Sequence, residues 1–326
     1  MQLSHLQLSL LLPILAAVQF AIGIVFVEMI FDEKSLFGMV EWGGFLTPNL
    51  GNWWLLFLLR SIVGVCGIPL LAKVLYPLTG QDLKHQLQHP TRSVLWVGII
   101  SGLCLFVAEW FMYFAVGFVP LAVAIASGLL YPTIAAIGAW TLWGDRPTPL
   151  LVLAMTMVAI ASFVAVPLPR FFVGTLSDIL WGISAAAVSS LAFASYLLLT
   201  QRATRQLHPL PFTAIALGTV FVLSCLVGML PVDLMEITLE PRQFPTLVVG
   251  GAIVGVLTLV GYLLSNYGVV LVGAARSAIA IASMPAFTIL LTVILFQSAL
   301  EFKQILGILG AVLGLVVLMS EPPADG

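Results

Sequence analysis

The chain has 326 residues, of which 61% are hydrophobic and only 8% charged, with a net charge of −2 and a mean hydropathy of +1.15. A water-facing domain carries roughly 25% charged residues, so most of this surface is composed to meet lipid. The 12 basic residues form no stripe that would hold nucleic acid.

The first apolar run, Leu8–Ile30, is preceded by no Lys or Arg. It lacks the basic start of a cleaved leader and reads as a retained membrane helix. A bilayer core about 30 Å thick needs about 20 apolar residues per span, and nine further runs of that order follow. They are Trp53–Tyr76, Val94–Phe118, Leu121–Trp143, Leu150–Val166, Leu176–Leu199, Phe212–Leu230, Leu247–Tyr267, Ala274–Phe296 and Ile305–Met319. The fifth and tenth are short and would sit upright or in a thinned bilayer. No connection is long enough for a soluble domain. The longest, Phe31 to Asn52, carries Asp32, Glu33, Lys34 and Glu41.

Sidedness follows from Lys and Arg on alternate faces. With the N-terminus inside, the inner face receives Lys73, Lys84, Arg92, Arg146, Arg202, Arg205 and Arg276. The outer face receives Lys34, Arg60, Arg170, Arg242 and Lys303. The bias places both termini in the cytoplasm; the cell's plasma (inner) membrane is the expected location, though the bias does not decide it.

Two stretches repeat. Val119–Thr148 and the stretch beginning at Val272 align without a gap, and their prolines coincide, Pro132 with Pro285, at a spacing of 285 − 132 = 153 residues. Small residues precede each proline and an aliphatic run follows. The chain is close to twice that spacing, so it reads as two halves, 1–167 and 168–326. Five helices is an odd number, so two such halves enter the membrane in opposite directions. That is the inverted repeat of many secondary transporters, with a site near the midplane. The predicted fold class is an all-α integral membrane protein of ten helices in two inverted five-helix repeats.

These residues resemble the drug/metabolite transporter superfamily, in particular its EamA-type ten-helix members. The likeness rests on Ala122 to Gly128, Pro132 and the turn Gly144-Asp145-Arg146. In the second half it rests on Ala274-Ala275-Arg276-Ser277, Pro285 and the tenth-helix glycines Gly307, Gly310 and Gly314, with Gln201-Arg202 and Arg60 also fitting. One departure stands where the second half would repeat the Gly-acid turn: this chain has Gln297-Ser298, with Glu301 close by. The resemblance implies solute transport by alternating access and does not fix the solute.

Charges inside spans cost roughly 2.5–3.5 kcal/mol on insertion scales, so they mark functional candidates. Glu109 lies about 22 Å along its helix, at a depth shared by Arg60. It can handle protons or substrate, or form a structural pair with Arg60. Tyr113 lies one turn from Glu109 on the same face. The repeat register sets Glu109 against Tyr262, and Tyr113 against Asn266. Ser127 and Tyr131 form a further i, i+4 pair; Gln19 and Ser189 fall near the centres of helices one and six. Arg276, near the cytoplasmic end of helix nine, can snorkel to water or meet an anionic group. Pro132 and Pro285 are expected to act as hinges or cavity-lining breaks. Gly251-x-x-x-Gly255 and Gly310-x-x-x-Gly314 allow close helix contact inside the bundle, or a homodimer face.

His85 and His89 sit near Asp82 in a polar loop and read as surface residues; no metal or cofactor is expected. No Gly-rich phosphate loop drives transport with ATP. The reading is a secondary transporter of an amino acid, metabolite or drug-like amphiphile, with proton coupling open. The alternatives are a non-transporting membrane subunit or sensor, and an intramembrane lipid-modifying enzyme.

Overall fold

The computed structural model describes residues 5–47, 49–89, 93–165, 175–229, 237 and 243–321. In chain order the elements are α1 (His5–Phe31), β1 (Lys34–Leu36), β2 (Val40–Trp42), α2 (Leu50–Leu75), α3 (Thr79–Gln88), α4 (Ser93–Phe118) and α5 (Leu121–Ser127). Then come α6 (Tyr131–Trp143), α7 (Pro149–Val164), α8 (Leu176–Thr204), α9 (Pro209–Gly228), α10 (Phe244–Ile281), α11 (Met284–Phe296) and α12 (Phe302–Met319). Eight stretches among the described residues are long and apolar enough to span a bilayer, with α5 and α6 counting as one; α7 and α11 are shorter apolar helices. The chain is a multi-pass, helical membrane protein.

Several local expectations change. The connection after α1 folds into an antiparallel hairpin pairing Lys34 with Trp42 and Leu36 with Val40. His85 lies on the helix α3 and His89 caps its end, with their rings 5.1 Å apart. The tenth span is full-length, whereas the ninth is split between the end of α10 and the short α11. The predicted ends Val166 and Leu230, and Arg92, Arg170 and Arg242 of the charge count, lie outside the described residues.

Helix starts are written locally. Pro149 and Pro209 occupy first-turn positions where no intrahelical N–H is missed. The Thr148 side chain caps α7 by accepting from the Leu151 N–H at 3.1 Å, and Thr175 and Asp178 form a reciprocal box at α8. Pro132 and Pro285 do the same work at the starts of α6 and α11. Neither kinks a continuous helix, as a reading of them as mid-helix hinges would require. The chain breaks just before each of them, at 128–130 and 282–283.

The most extensive helix pairs are α1 with α10, α4 with α8 and α7 with α12. Then come α2 with α10, α4 with α9, α2 with α9, α1 with α11 and α6 with α8. Exchanging α1 with α8, α2 with α9, α4 with α10, α6 with α11 and α7 with α12 maps these pairs onto one another, whereas α8 with α10, as extensive as α6 with α8, has no counterpart of similar extent. Glycines permit the closest approaches. A Cβ on Gly255 would lie 2.8 Å from the Arg60 carbonyl oxygen, and one on Gly251 2.7 Å from the Leu59 Cβ. Gly307 and Gly314 lie as tightly on the Ala161 and Ala154 carbonyls of α7. Both glycine patterns are therefore spent inside the bundle.

Candidate functional site

The breaks before α6 and α11 border a central cavity of about 910 Å³. Its wall is drawn from α1, α2, α4, α8 and α10 and from the two broken spans. Deep in it lie Gln19, Arg60, Glu109, Tyr113, Tyr131, Ser189, Phe193 and Tyr262; toward one face it widens to Asp32, Ser298, Glu301 and Gln304. On the opposite side of Tyr262 the helices close. Tyr196, Leu197, Leu210, Phe212, Thr213, Asn266 and Ile279 are fully buried there. The cavity is thus accessible from the face that carries the hairpin and the start of α12, and sealed from the face that carries the N-terminus of α1.

Glu109 and Arg60 meet at the heart of the cavity, Nη2 to Oε2 at 2.6 Å, with both side chains mostly buried. The close packing of α10 on α2 at Gly251 and Gly255 sets Arg60 beside Tyr262, whose hydroxyl donates to Glu109 Oε1 at 2.7 Å. The guanidinium also rides over the rings of Phe57 and Tyr113, 4.3 and 5.5 Å from their centroids. A buried ion costs several kcal/mol unless paired and hydrogen-bonded. Here the pair is neutral in sum, with Nη2 held by the Glu109 carboxylate, while Arg60 Nε has no acceptor among the described residues. A bound group with an oxygen acceptor could take that donor. Aromatic walls from Phe20, Trp53, Tyr131 and Phe193 suit an apolar body.

The serines are committed to backbone. Ser189 Oγ donates to the Ala108 carbonyl at 2.6 Å, tying α8 to α4, and Ser190 Oγ donates to the Gly128 carbonyl at the α5–α6 break. Gln19 reaches the Leu257 carbonyl only at 3.5 Å, which leaves its amide nearly unspent.

Of the predicted residues, Gln19, Glu109, Tyr113, Tyr131, Ser189, Tyr262 and Pro285 line the cavity. Four do not. Ser127 ends α5 while Tyr131 begins α6, so the break between them removes the i, i+4 relation. Asn266 is wholly buried below the cavity, accepting from Tyr196 Oη at 2.7 Å and donating to Thr213 Oγ1 at 2.8 Å. Arg276 neither snorkels freely nor faces the cavity: its Nε donates to Glu321 Oε2 at 2.8 Å. Pro132 is buried at the start of α6, away from the lumen. The sequence reading left Trp53 and Glu321 unremarked. The Trp53-Trp54 pair beside a helix start was the available signal for the first. Glu321, beyond the last apolar run, offered none.

The fold and cavity define the class: a multi-pass helical membrane protein with a solute-sized chamber inside its bundle. A family model, the EamA-like transporter family, matches residues 180–320. The chain is 30% identical over 318 residues to "Uncharacterized transporter sll1319" of Synechocystis sp., covering 96% of this chain and 94% of that protein. A solved structure titled only "Crystal structure of protein" superposes with a TM-score of 0.65 at 21% identity, covering 97% of this chain and 96% of that one. The chain belongs to the EamA-like transporter family and is a membrane transporter by that membership.

Proposed function

We propose that the protein is a secondary transporter of a small organic solute, working by alternating access. Its halves, 1–167 and 168–326, are related by a pseudo-two-fold axis lying in the membrane plane. The exchange symmetry of the helix pairs supports this, as do helix limits that recur at the repeat spacing: α6 and α11 each have 13 residues. In this reading the sealed face is cytoplasmic, the cavity faces outward and the membrane is the cell's plasma membrane; the charge bias supports that sidedness. The solute is an amino acid, related metabolite or drug-like amphiphile with an apolar body and an oxygen acceptor for Arg60. A multivalent anion is disfavoured, because the only cation in the wall among the described residues is already paired.

The observation that carries the reading is the one-sided cavity with a buried ion pair and the unpartnered Arg60 Nε at its inner end. Counterflow of labelled solutes into proteoliposomes, over a panel of zwitterionic, cationic and neutral amphiphiles, tests it. Saturable exchange of one class, abolished in Glu109→Ala, is the expected result. No exchange with any member would favour a non-transporting subunit. Proton coupling through Glu109 requires Arg60 to withdraw, since the two share the same carboxylate. A coupled carrier therefore loses its response to an imposed pH gradient in Glu109→Gln while counterflow persists.

A further inference from the structure

Three polar side chains meet at the face opposite the cavity mouth. Glu321 lies just past the end of α12, its side chain fully buried. Its Oε2 accepts from Arg276 Nε at 2.8 Å and its Oε1 from Thr148 Oγ1 at 2.6 Å. Thr148 is the cap of α7, in the first half; Arg276 belongs to the second. One carboxylate therefore ties three segments, two of them from opposite halves.

Arg276 also stands at a joint. Gly273, with φ 82° and ψ 166°, interrupts α10 and frees the Ala274 N–H, which donates to Gln201 Oε1 of α8 at 2.7 Å. Residues 274–281 form a short segment between this break and the one at 282–283. Ile281, at its far end, already belongs to the cavity wall, as do Met284 and Pro285 beyond it. A segment hinged at both ends, with the ion pair on one end and cavity wall on the other, links the sealed face mechanically to the chamber.

The repeat register makes the arrangement one-sided. The counterpart of Thr148 is Glu301, which likewise caps its helix, α12, but stands exposed at the cavity mouth. The counterpart of Arg276 is Val123, buried and without charge. Among the described residues, the open face therefore shows no equivalent ionic closure.

We propose that Glu321, Arg276 and Thr148 form a latch that holds the N-terminal face shut, and that its release lets the 274–281 segment swing and opens the chamber to that face. This rests on the alternating-access reading above. Breaking one side of a buried pair leaves the other charge stranded, so single variants at the latch have a large effect on the equilibrium between states.

The test is thiol accessibility in a chain whose native Cys66, Cys104 and Cys225 are replaced by Ser. Ser277→Cys reports on the sealed side, where that residue is fully buried, and Thr288→Cys reports on the cavity. A membrane-impermeant maleimide is applied from each face in turn. Glu321→Gln, Arg276→Gln and the milder Thr148→Val are each expected to raise labelling at position 277 from the N-terminal face, by about tenfold for the first two. They are expected to lower labelling at position 288 from the other face. The exchanged pair Arg276→Glu with Glu321→Arg is expected to restore part of the original pattern. Unchanged labelling at both positions, in variants that elute as folded protein, overturns the latch. So does equal gain of labelling at both, which would mean general loosening. Counterflow read on the same preparations separates the two ideas: flux with unaltered accessibility removes the latch and keeps the transporter, and altered accessibility without flux does the reverse.

Discussion

The two ends of the bundle are made from matching parts and behave differently. At the sealed face, α6 ends in the left-handed Gly144 (φ 78°), and Thr148 begins α7 while gripping Glu321. At the open face, α11 ends in the left-handed Gln297 (φ 52°), and Glu301 begins α12 with its carboxylate turned back on its own helix. The Gly-acid turn missing from the second half is thus missing only in residue type, because the backbone keeps its shape. What differs is where the polar side chains are spent. On the sealed side they reach across the two halves; on the open side they serve their own helix or stand at the mouth of the chamber. On the alternating-access reading proposed above, that difference makes a few polar side chains between the helices the determinants of access.

The largest expected break in this comparison lies at its midpoint. Arg60→Met alone strands Glu109, and Glu109→Leu alone strands Arg60; each is expected to destabilise the protein by about 3–5 kcal/mol, visible as a lowered midpoint in detergent melting. The double variant Arg60→Met with Glu109→Leu is expected to recover most of that stability while counterflow stays absent. A double variant that still transports would make the pair structural.

Tyr262→Phe is milder. It removes one hydrogen bond to a charged acceptor, worth about 1.5–3 kcal/mol, and is expected to cut flux by roughly tenfold or more with the fold intact. Full flux in Tyr262→Phe would show that the hydroxyl plays no part in the site.

Smaller still is the turn. A non-glycine residue in the left-handed region costs about 1–2 kcal/mol, so Gln297→Gly is expected to raise the melting midpoint and Gly144→Ala to lower it. Negligible changes in both variants would mean that the left-handed conformation carries no cost at either turn.

The smallest effect belongs to pH. His208 stacks on Tyr76 at 3.8 Å between ring centroids, with Tyr267 edge-on to it. Partial burial holds its pKa below the ordinary 6.5, with Asp82 opposing. The folded state therefore resists a proton that the unfolded chain accepts. Its contribution is full above pH 6.5 and is lost as pH falls through the lowered value. A slight drop of the melting midpoint at acid pH, absent in His208→Phe, is the expected sign.

Much of this was readable in advance, and the gaps have a common cause. Span positions followed from hydropathy, and the register that aligned the two prolines also set Glu109 against Tyr262, which prove to be hydrogen-bonded. Rotation about each helix was not readable. In lipid a helix is apolar all round, so period alone does not tell a lumen face from a lipid face. Depth and breaks were not readable either: Asn266 lies below the cavity, the α5–α6 break parts Ser127 from Tyr131, and Arg276 is taken by Glu321. Proline was over-read in the same way. At Pro132 and Pro285 the residue type signals a helix start as readily as a kink, and only the break one turn earlier decides. Glu321 was invisible because its partners lie 45 and 173 residues away in sequence.

The most direct measurement is solute protection at the cavity wall. Thr288→Cys, labelled from the open face by an impermeant maleimide, should be shielded by a solute that drives counterflow, with half-protection near that solute's half-saturating concentration for exchange. Shielding should vanish in the Arg60→Met, Glu109→Leu background. Vigorous counterflow with no shielding at Thr288, or shielding unchanged in that background, would place the transport site somewhere other than this chamber.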